Sequence, residues 1–218
     1  MHDIVANEAL SLATTGTDLF ATPVVLMTNL ATGQASQQFG TVAPPGAAAG
    51  LVSQFLYPGL DGVARSATTP STLLKGGPGG DALQVLGGAN VLDGASGSNF
   101  LVGGDGTDGG ADTFFLDGRG GADTWSTIVD FHARDAVTIF GFHAGLCTLP
   151  FTASDGASGY TGLTIYSELN GPGTGIDASL TFAGLSQADA DTHFAISTGT
   201  LSPGTTDATD YLEIQYKA

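Results

Sequence analysis

The stretch KGGPGGDALQVLGGANVLDGASGSNFLVGGDGTDGGADTFFLDGRGGADT, Lys75 to Thr124, is crowded with glycine and aspartate and nearly bare of the residues that build ordinary cores. Glycine loses more conformational entropy on folding than any other residue, so such a stretch stays disordered unless a specific interaction holds it. A divalent cation is one candidate. Calcium takes about six to eight oxygens, which closely spaced aspartates and converging backbone carbonyls supply.

Inside the stretch there is a repeat. GGPGGDALQ (Gly76 to Gln84) fits the nonapeptide G-G-x-G-x-D-x-U-x, with U a large apolar residue, at every fixed position. GASGSNFLV (Gly94 to Val102) keeps Gly94, Gly97 and Leu101 but carries Ala95 for the second glycine and Asn99 for the aspartate. Between them GGANVLD (Gly87 to Asp93) reads as the same unit shortened by two residues. GGDGTD (Gly103 to Asp108) restores the six-residue loop, and GGAD (Gly109 to Asp112) separates it from the apolar strand TFFL.

With these residues the chain resembles the RTX-type calcium-binding proteins of Gram-negative bacteria. The resemblance implies a parallel β-roll, in which six-residue loops hold calcium through aspartate and glycine carbonyls while each x-U-x strand turns its apolar side chain inward. Leu83, Leu92, Leu101 and Phe114 or Phe115 would then line a narrow core. Carried over position by position, it implies calcium ligands at Asp81 with Gly77 and Gly79, at Asp105 and Asp108 with Gly104 and Gly106, and at Asn99 and Asp112. Asn99 offers only a neutral amide oxygen, so its site would be weaker. Asp93, Asp117 and Asp123, in LDGA, LDGR and GADT, read as turn formers.

The likeness continues through Asp112 to Phe142, which is similar to the segment that closes such rolls: an apolar strand, a D-F-x-x-G-D turn and a second apolar strand. Arg134 stands in the glycine position of that turn, while Asp130, Phe131 and Asp135 keep theirs. NVLDGASGSNFLVGG followed by DTFFLDGRG is also similar to a C-terminal module of large secreted alphaproteobacterial proteins. The resemblance spans roughly residues 76–216 and is strongest over 76–142.

Composition is consistent with a cation partner. The chain of 218 residues carries 21 acidic and 5 basic side chains, a formal charge of −16, which argues against nucleic-acid and anionic-membrane partners. Only Glu8, Glu168 and Glu213 are glutamates, so aspartate is used positionally, as turn former or ligand, rather than as generic surface charge. No run approaches the roughly 20 apolar residues that span a bilayer, and the first residues lack the pattern of a signal peptide. Cys147 stands alone and reads as a small buried apolar residue.

Outside the repeat the pattern is of strands. The first 72 residues form an N-terminal β segment, cap or linker, with strands in TPVVLMTNLATGQ and VSQFLYPG. Residues 73–124 hold the repeats, and 125–218 form a C-terminal β region whose end, DYLEIQYKA, is compatible with a type I secretion signal. TWSTIVDF places Trp125, Thr127, Val129 and Phe131 on one face. LTIYSELNGPGTGIDASLTFAGL reads as a hairpin turning at Asn170 to Gly175, and YLEIQY as a strand with Leu212, Ile214 and Tyr216 inward. A helix start is read at Ser186, with Asp189 three residues on. The fold class expected is all-β: a short, degenerate parallel β-roll continuing into a β-sandwich-like C-terminal region, with very little helix.

No nucleophile elbow, H-E-x-x-H or P-loop is present, so no enzyme activity is expected. His132, His143 and His193 read as ordinary surface or core residues, and Trp125, Tyr160 and Tyr166 as core packing ahead of a sugar-stacking platform. The function implied by the resemblance is a calcium-binding module of a secreted or cell-surface protein, with calcium as its cofactor and folding coupled to extracellular calcium. An extracellular adhesin or carbohydrate-binding module with structural calcium is the second class, with a cell-surface glycan or a larger parent polypeptide as partner. The non-catalytic tail of a secreted hydrolase is the third.

Overall fold

A computed structural model describes residues 24–29, 35–39, 41–42, 52–54, 63–67, 72–77, 79–107, 109–119, 123–142, 151–157, 159–167, 178–205 and 208–218. Strands β1 (Val24–Asn29), β2 (Ala35–Phe39) and β3 (Thr41–Val42) come first. They are followed by β4 (Val52–Gln54), β5 (Val63–Ala67), β6 (Thr72–Lys75), β7 (Ala82–Gln84), β8 (Val91–Asp93) and β9 (Phe100–Val102). Next are β10 (Thr113–Asp117), β11 (Thr124–Val129) and β12 (Ala136–Phe140). From β4 to β12 each strand joins the sheet opposite to that of its predecessor.

Two facing sheets of parallel strands result. One runs β5, β7, β9, β11 in spatial order and the other β4, β6, β8, β10, β12. One circuit of this roll takes two nonapeptides: Thr72 and Asn90 lie eighteen residues apart on adjacent turns. Later circuits are longer, with 22 residues from Asn90 to Asp112 and 27 from Asn99 to Ser126. The extra residues sit in the turns, where insertions leave strand pairing intact.

Three-residue strands can bury only their middle side chain, and that residue is the U position of the repeat. Register stacks Leu83, Leu101 and Ile128 on one sheet, and Leu74, Leu92, Phe114 and Val137 on the other, all fully buried. Each such side chain contributes about 1.5–3 kcal/mol by leaving water. Of the two candidates on β10, Phe114 points inward, while Phe115 faces out and stacks on Phe140.

Antiparallel strands close the roll. β5 pairs with β1, and β1 with β2, while β4 pairs with β3. At the other end β15 (Ala178–Ala183) continues parallel to β11, then pairs with β14 (Thr161–Ser167), which pairs with β13 (Phe151–Asp155). On the opposite sheet β17 (Thr209–Tyr216) joins β12, and β16 (Phe194–Leu201) joins β17. The sheets therefore run without a break through positions 72 and 124, where the sequence divides into segments. Phe131, Phe182, Phe194 and Tyr216 plug this end, with ring centroids 4.8–6.0 Å apart.

The hairpin strands β14 and β15 match the expected pair, while their turn, like Cys147 and His143, lies outside the described residues. The helix α1 (Gln187–His193) starts at Ser186 with a reciprocal capping box to Asp189. Trp125, Thr127 and Val129 share a face of β11 as expected, but it is the outer one, and Phe131, beyond the strand, turns into the core. Ser126 and Ile128 point inward, whereas Trp125 is 63% exposed and is not a core residue. Hydrophobicity misleads here because the outward face carries the larger side chain and is itself partly covered by residues 154–157.

Candidate functional site

The loop edges of the roll are stitched by two ladders of side chains. On one edge Asn90 Oδ1 accepts the Thr72 amide (3.0 Å), Asp112 Oδ1 accepts the Asn90 amide (2.9 Å), and Asp135 Oδ1 accepts the Asp112 amide (2.7 Å). On the other edge Asn99 Oδ1 accepts the Asp81 amide (3.1 Å) and Ser126 Oγ accepts the Asn99 amide (3.1 Å). Asp81, Asn90, Asn99, Asp112 and Asp135 are all buried. A buried amide without an acceptor costs about 1–3 kcal/mol, so these contacts hold part of the glycine-rich backbone through protein groups alone.

The ladders also set the repeat register. Gly76, Val85, Gly94 and Gly103 occupy equivalent positions, each donating its amide to a strand carbonyl of the next circuit. The unit read as shortened is therefore a full nonapeptide beginning at Val85, with Asn90 in the aspartate position. The first residue is glycine where the sixth side chain folds back over it. A Cβ on Gly76 would collide with Asp81 Oδ2, one on Gly94 would lie 2.8 Å from Asn99, and one on Gly103 would lie 2.8 Å from Asp112 Oδ2.

Each loop satisfies its interior differently. Asn90 Nδ2 donates to the carbonyls of Gly87 and Gly88, and Asn99 Nδ2 donates to that of Gly97, each at 3.0 Å. In the loop from Gly103 to Asp112, Asp112 Oδ2 accepts the Gly104 amide and His132 Nε2 lies 2.8 Å from the Gly104 carbonyl. Gly106, at φ 69°, packs against the same imidazole. In the loop from Gly76 to Asp81, the carboxylate accepts the Gly77 amide at 2.6 Å, and Gly79 lies in the same turn. Asp105 is exposed and turns to Thr107, whose hydroxyl and amide hold its carboxyl below the usual range. Asp108 lies outside the described residues.

The structure thus brings Asp81 and Asn99 together on one edge, and Gly104, Gly106 and Asp112 together around His132. Asp105 is directed elsewhere. Asn90 was not among the candidates; the sixth-residue spacing from Val85 is the signal that would have found it. Among the described residues no three His, Cys, Asp or Glu side chains converge as a metal cluster.

The ladder foot is electrostatically loaded. Burial pushes the Asp112 carboxyl upward against the amides of Gly104 and Asn90, and burial raises Asp135 to about 6. Asp135 Oδ2 accepts the His132 amide at 3.0 Å and lies 3.4 Å from His132 Nδ1. Burial opposes protonation of His132, yet the carboxylates of Asp135 and Asp112 and the carbonyls of Gly104 and Ala133 outweigh it and raise its pKa. This Asp–His pair has the look of a proton relay, but its outer nitrogen is engaged by a backbone carbonyl rather than a nucleophile. Its geometry fits a structural role.

No family model, curated protein or solved structure matches this chain. Its functional reading therefore rests on its own residues. No helix among the described residues is long and apolar enough to cross a membrane.

Proposed function

We propose that the chain is a calcium-binding, non-enzymatic module of RTX type from a protein that works outside the cell or at its surface, and that calcium adds to the stability of its roll. The observation that carries this reading is the loop from Gly76 to Asp81, where a buried carboxylate lies over a glycine backbone. The neighbouring loops turn an amide or an imidazole toward their own carbonyls. A carboxylate has no hydrogen to give a carbonyl, so carbonyls drawn in beside Asp81 would favour a cation between them. A carboxylate carries about four lone-pair positions, which makes its bond to Gly77 compatible with metal binding. Calcium at this loop would be held by Asp81 and by carbonyls of the residues around it. Two positive charges there would also offset part of the −16 on the chain.

The test is thermal melting in chelator and in millimolar calcium, with elemental analysis of the purified protein. An ion bound only by the folded state adds about 2.7 kcal/mol at a hundredfold excess over Kd, which is roughly 5–10 °C for a domain of this size. Magnesium should substitute poorly because it demands rigid octahedral, partly hydrated sites. An unchanged melting curve together with no bound calcium overturns the reading.

A further inference from the structure

Trp125 is the chain's single tryptophan, and it stands in the middle of a sheet with β9 on one side and β15 on the other. It borders a cleft of about 460 Å³ on the outer face of that sheet, lined also by Ser98, Ser154, Asp155, Tyr166 and Ser179. The register explains the shape. Trp125 pairs with Ser179, and Ser179 pairs with Tyr166, so the three lie at one level on three adjacent strands. Strands lie about 4.8 Å apart, which sets the two aromatic residues roughly 10 Å apart with a small serine between them.

The next level along is a row of hydroxyls. Thr127, Thr181 and Thr164 pair across the same strands, and the Oγ1 atoms of Thr164 and Thr181 lie 2.8 Å apart. The end wall is the turn after β13, where Ala157 donates its amide to Thr127 Oγ1 at 2.8 Å. Gly156 lets that turn lie down, since a Cβ there would sit 2.6 Å from Thr127 Oγ1. Tyr166 is fixed in turn by its hydroxyl, which donates to Ser154 Oγ at 3.2 Å. A larger hollow of about 680 Å³ shares Ser154 and Asp155 but has no aromatic residue in its lining.

We propose that the cleft beside Trp125 binds a neutral saccharide. Aromatic side chains offer a flat apolar face to the C–H side of a sugar ring, and serine, threonine and carboxylate oxygens exchange hydrogen bonds with its hydroxyls. The volume lies in the range of small-ligand sites. The acid on the rim, Asp155, and the net charge of −16 act against sulfated or uronic glycans. Asp81, the candidate calcium ligand, and Asn99 also line this cleft, so repeating the titration in chelator separates sugar binding from calcium binding.

The experiment titrates the full chain, in millimolar calcium, with short neutral hexose and N-acetylhexosamine oligosaccharides and with sulfated counterparts. Fluorescence is read out with excitation selective for tryptophan, so that the signal comes from Trp125 rather than from the five tyrosines. Saturable change with a neutral oligosaccharide is expected, and calorimetry should find binding weakened at least about tenfold in Trp125→Ala and by less in Trp125→Phe. Because Trp125 is exposed, both variants should melt within a degree or two of the parent. No binding across the neutral panel, undiminished binding in Trp125→Ala, or preference for the sulfated sugars would each overturn the proposal.

Discussion

Ala95 and Arg134 hold backbone positions that the repeat and its closing turn reserve for glycine, and both lie in the left-handed region, at φ 53° and φ 80°. A side chain there costs about 1–2 kcal/mol relative to glycine's freedom. Ala95→Gly should therefore raise stability by about 0.5–1 kcal/mol, measured by denaturant melting. Arg134→Gly relieves the same strain but loses the exposed guanidinium bond to the Gly109 carbonyl, so its net change should be smaller. The candidate calcium ligand is tested at this scale too. Asp81 is buried in its loop, while Asp123 is exposed beyond the repeats. Asp81→Ala should shrink the calcium-induced melting shift clearly more than Asp123→Ala, whose own effect should stay within about 0.5 kcal/mol. Equal behaviour of the two variants would place any ion elsewhere.

Among the elements, the loops divide by chemistry, and one substitution converts a loop from one kind to the other. Asn99→Asp removes the amide that donates to Gly97 and sets a second carboxylate beside the Asp81 amide ladder. In chelator the variant should lose about 1–3 kcal/mol. In calcium it should recover more than the parent gains, because ligand charge strengthens the site. The ladder foot adds a pH dependence of defined sign. Asp135, at about 6 when folded, binds more protons in the native than in the unfolded state between the ordinary carboxylate range and that value. Stability from this group therefore falls as pH rises through about 4 to 6 and is flat above. The raised pKa of His132 acts in the same direction, its contribution being lost as pH rises through the folded value. Melting in chelator should drop between pH 4.5 and 6.5, and the drop should be shallower in Asp135→Asn. Much of this edge was hidden in the sequence for physical reasons. Val85 conceals a repeat because it fills a slot whose sixth side chain, Asn90, turns to Gly87 and Gly88. The inserted GGAD moves the working acid from Asp108's position in the motif to Asp112.

Across the whole molecule, the roll itself was legible because a strand of three residues has one inward position, and the sequence repeats it as Leu83, Leu92, Leu101 and Phe114. The closing strands were legible as Leu212 and Ile214, and the capping helix as Ser186 with Asp189. The outer face of β11 was not, since a cleft-lining tryptophan and a core tryptophan look alike in one dimension. The side-chain ladders give the molecule a polarity. Thr72 leans on Asn90, Asn90 on Asp112, Asp112 on Asp135, and Asp81 on Asn99: in every case the acceptor comes from later in the chain. A circuit laid down before its successor lacks those acceptors, whereas one added onto a finished successor finds them waiting. Backbone bonds such as Phe100 N to the Asp81 carbonyl and Ala136 N to the Asp112 carbonyl run the other way, so it is the side-chain rungs alone that would favour assembly from the carboxyl end. Native-state hydrogen exchange should show it as a gradient, with the amides of Asp112 and Ala136 opening more rarely than those of Thr72 and Asp81. Unravelling would then begin at the amino-terminal circuits and stop, for a time, at each rung.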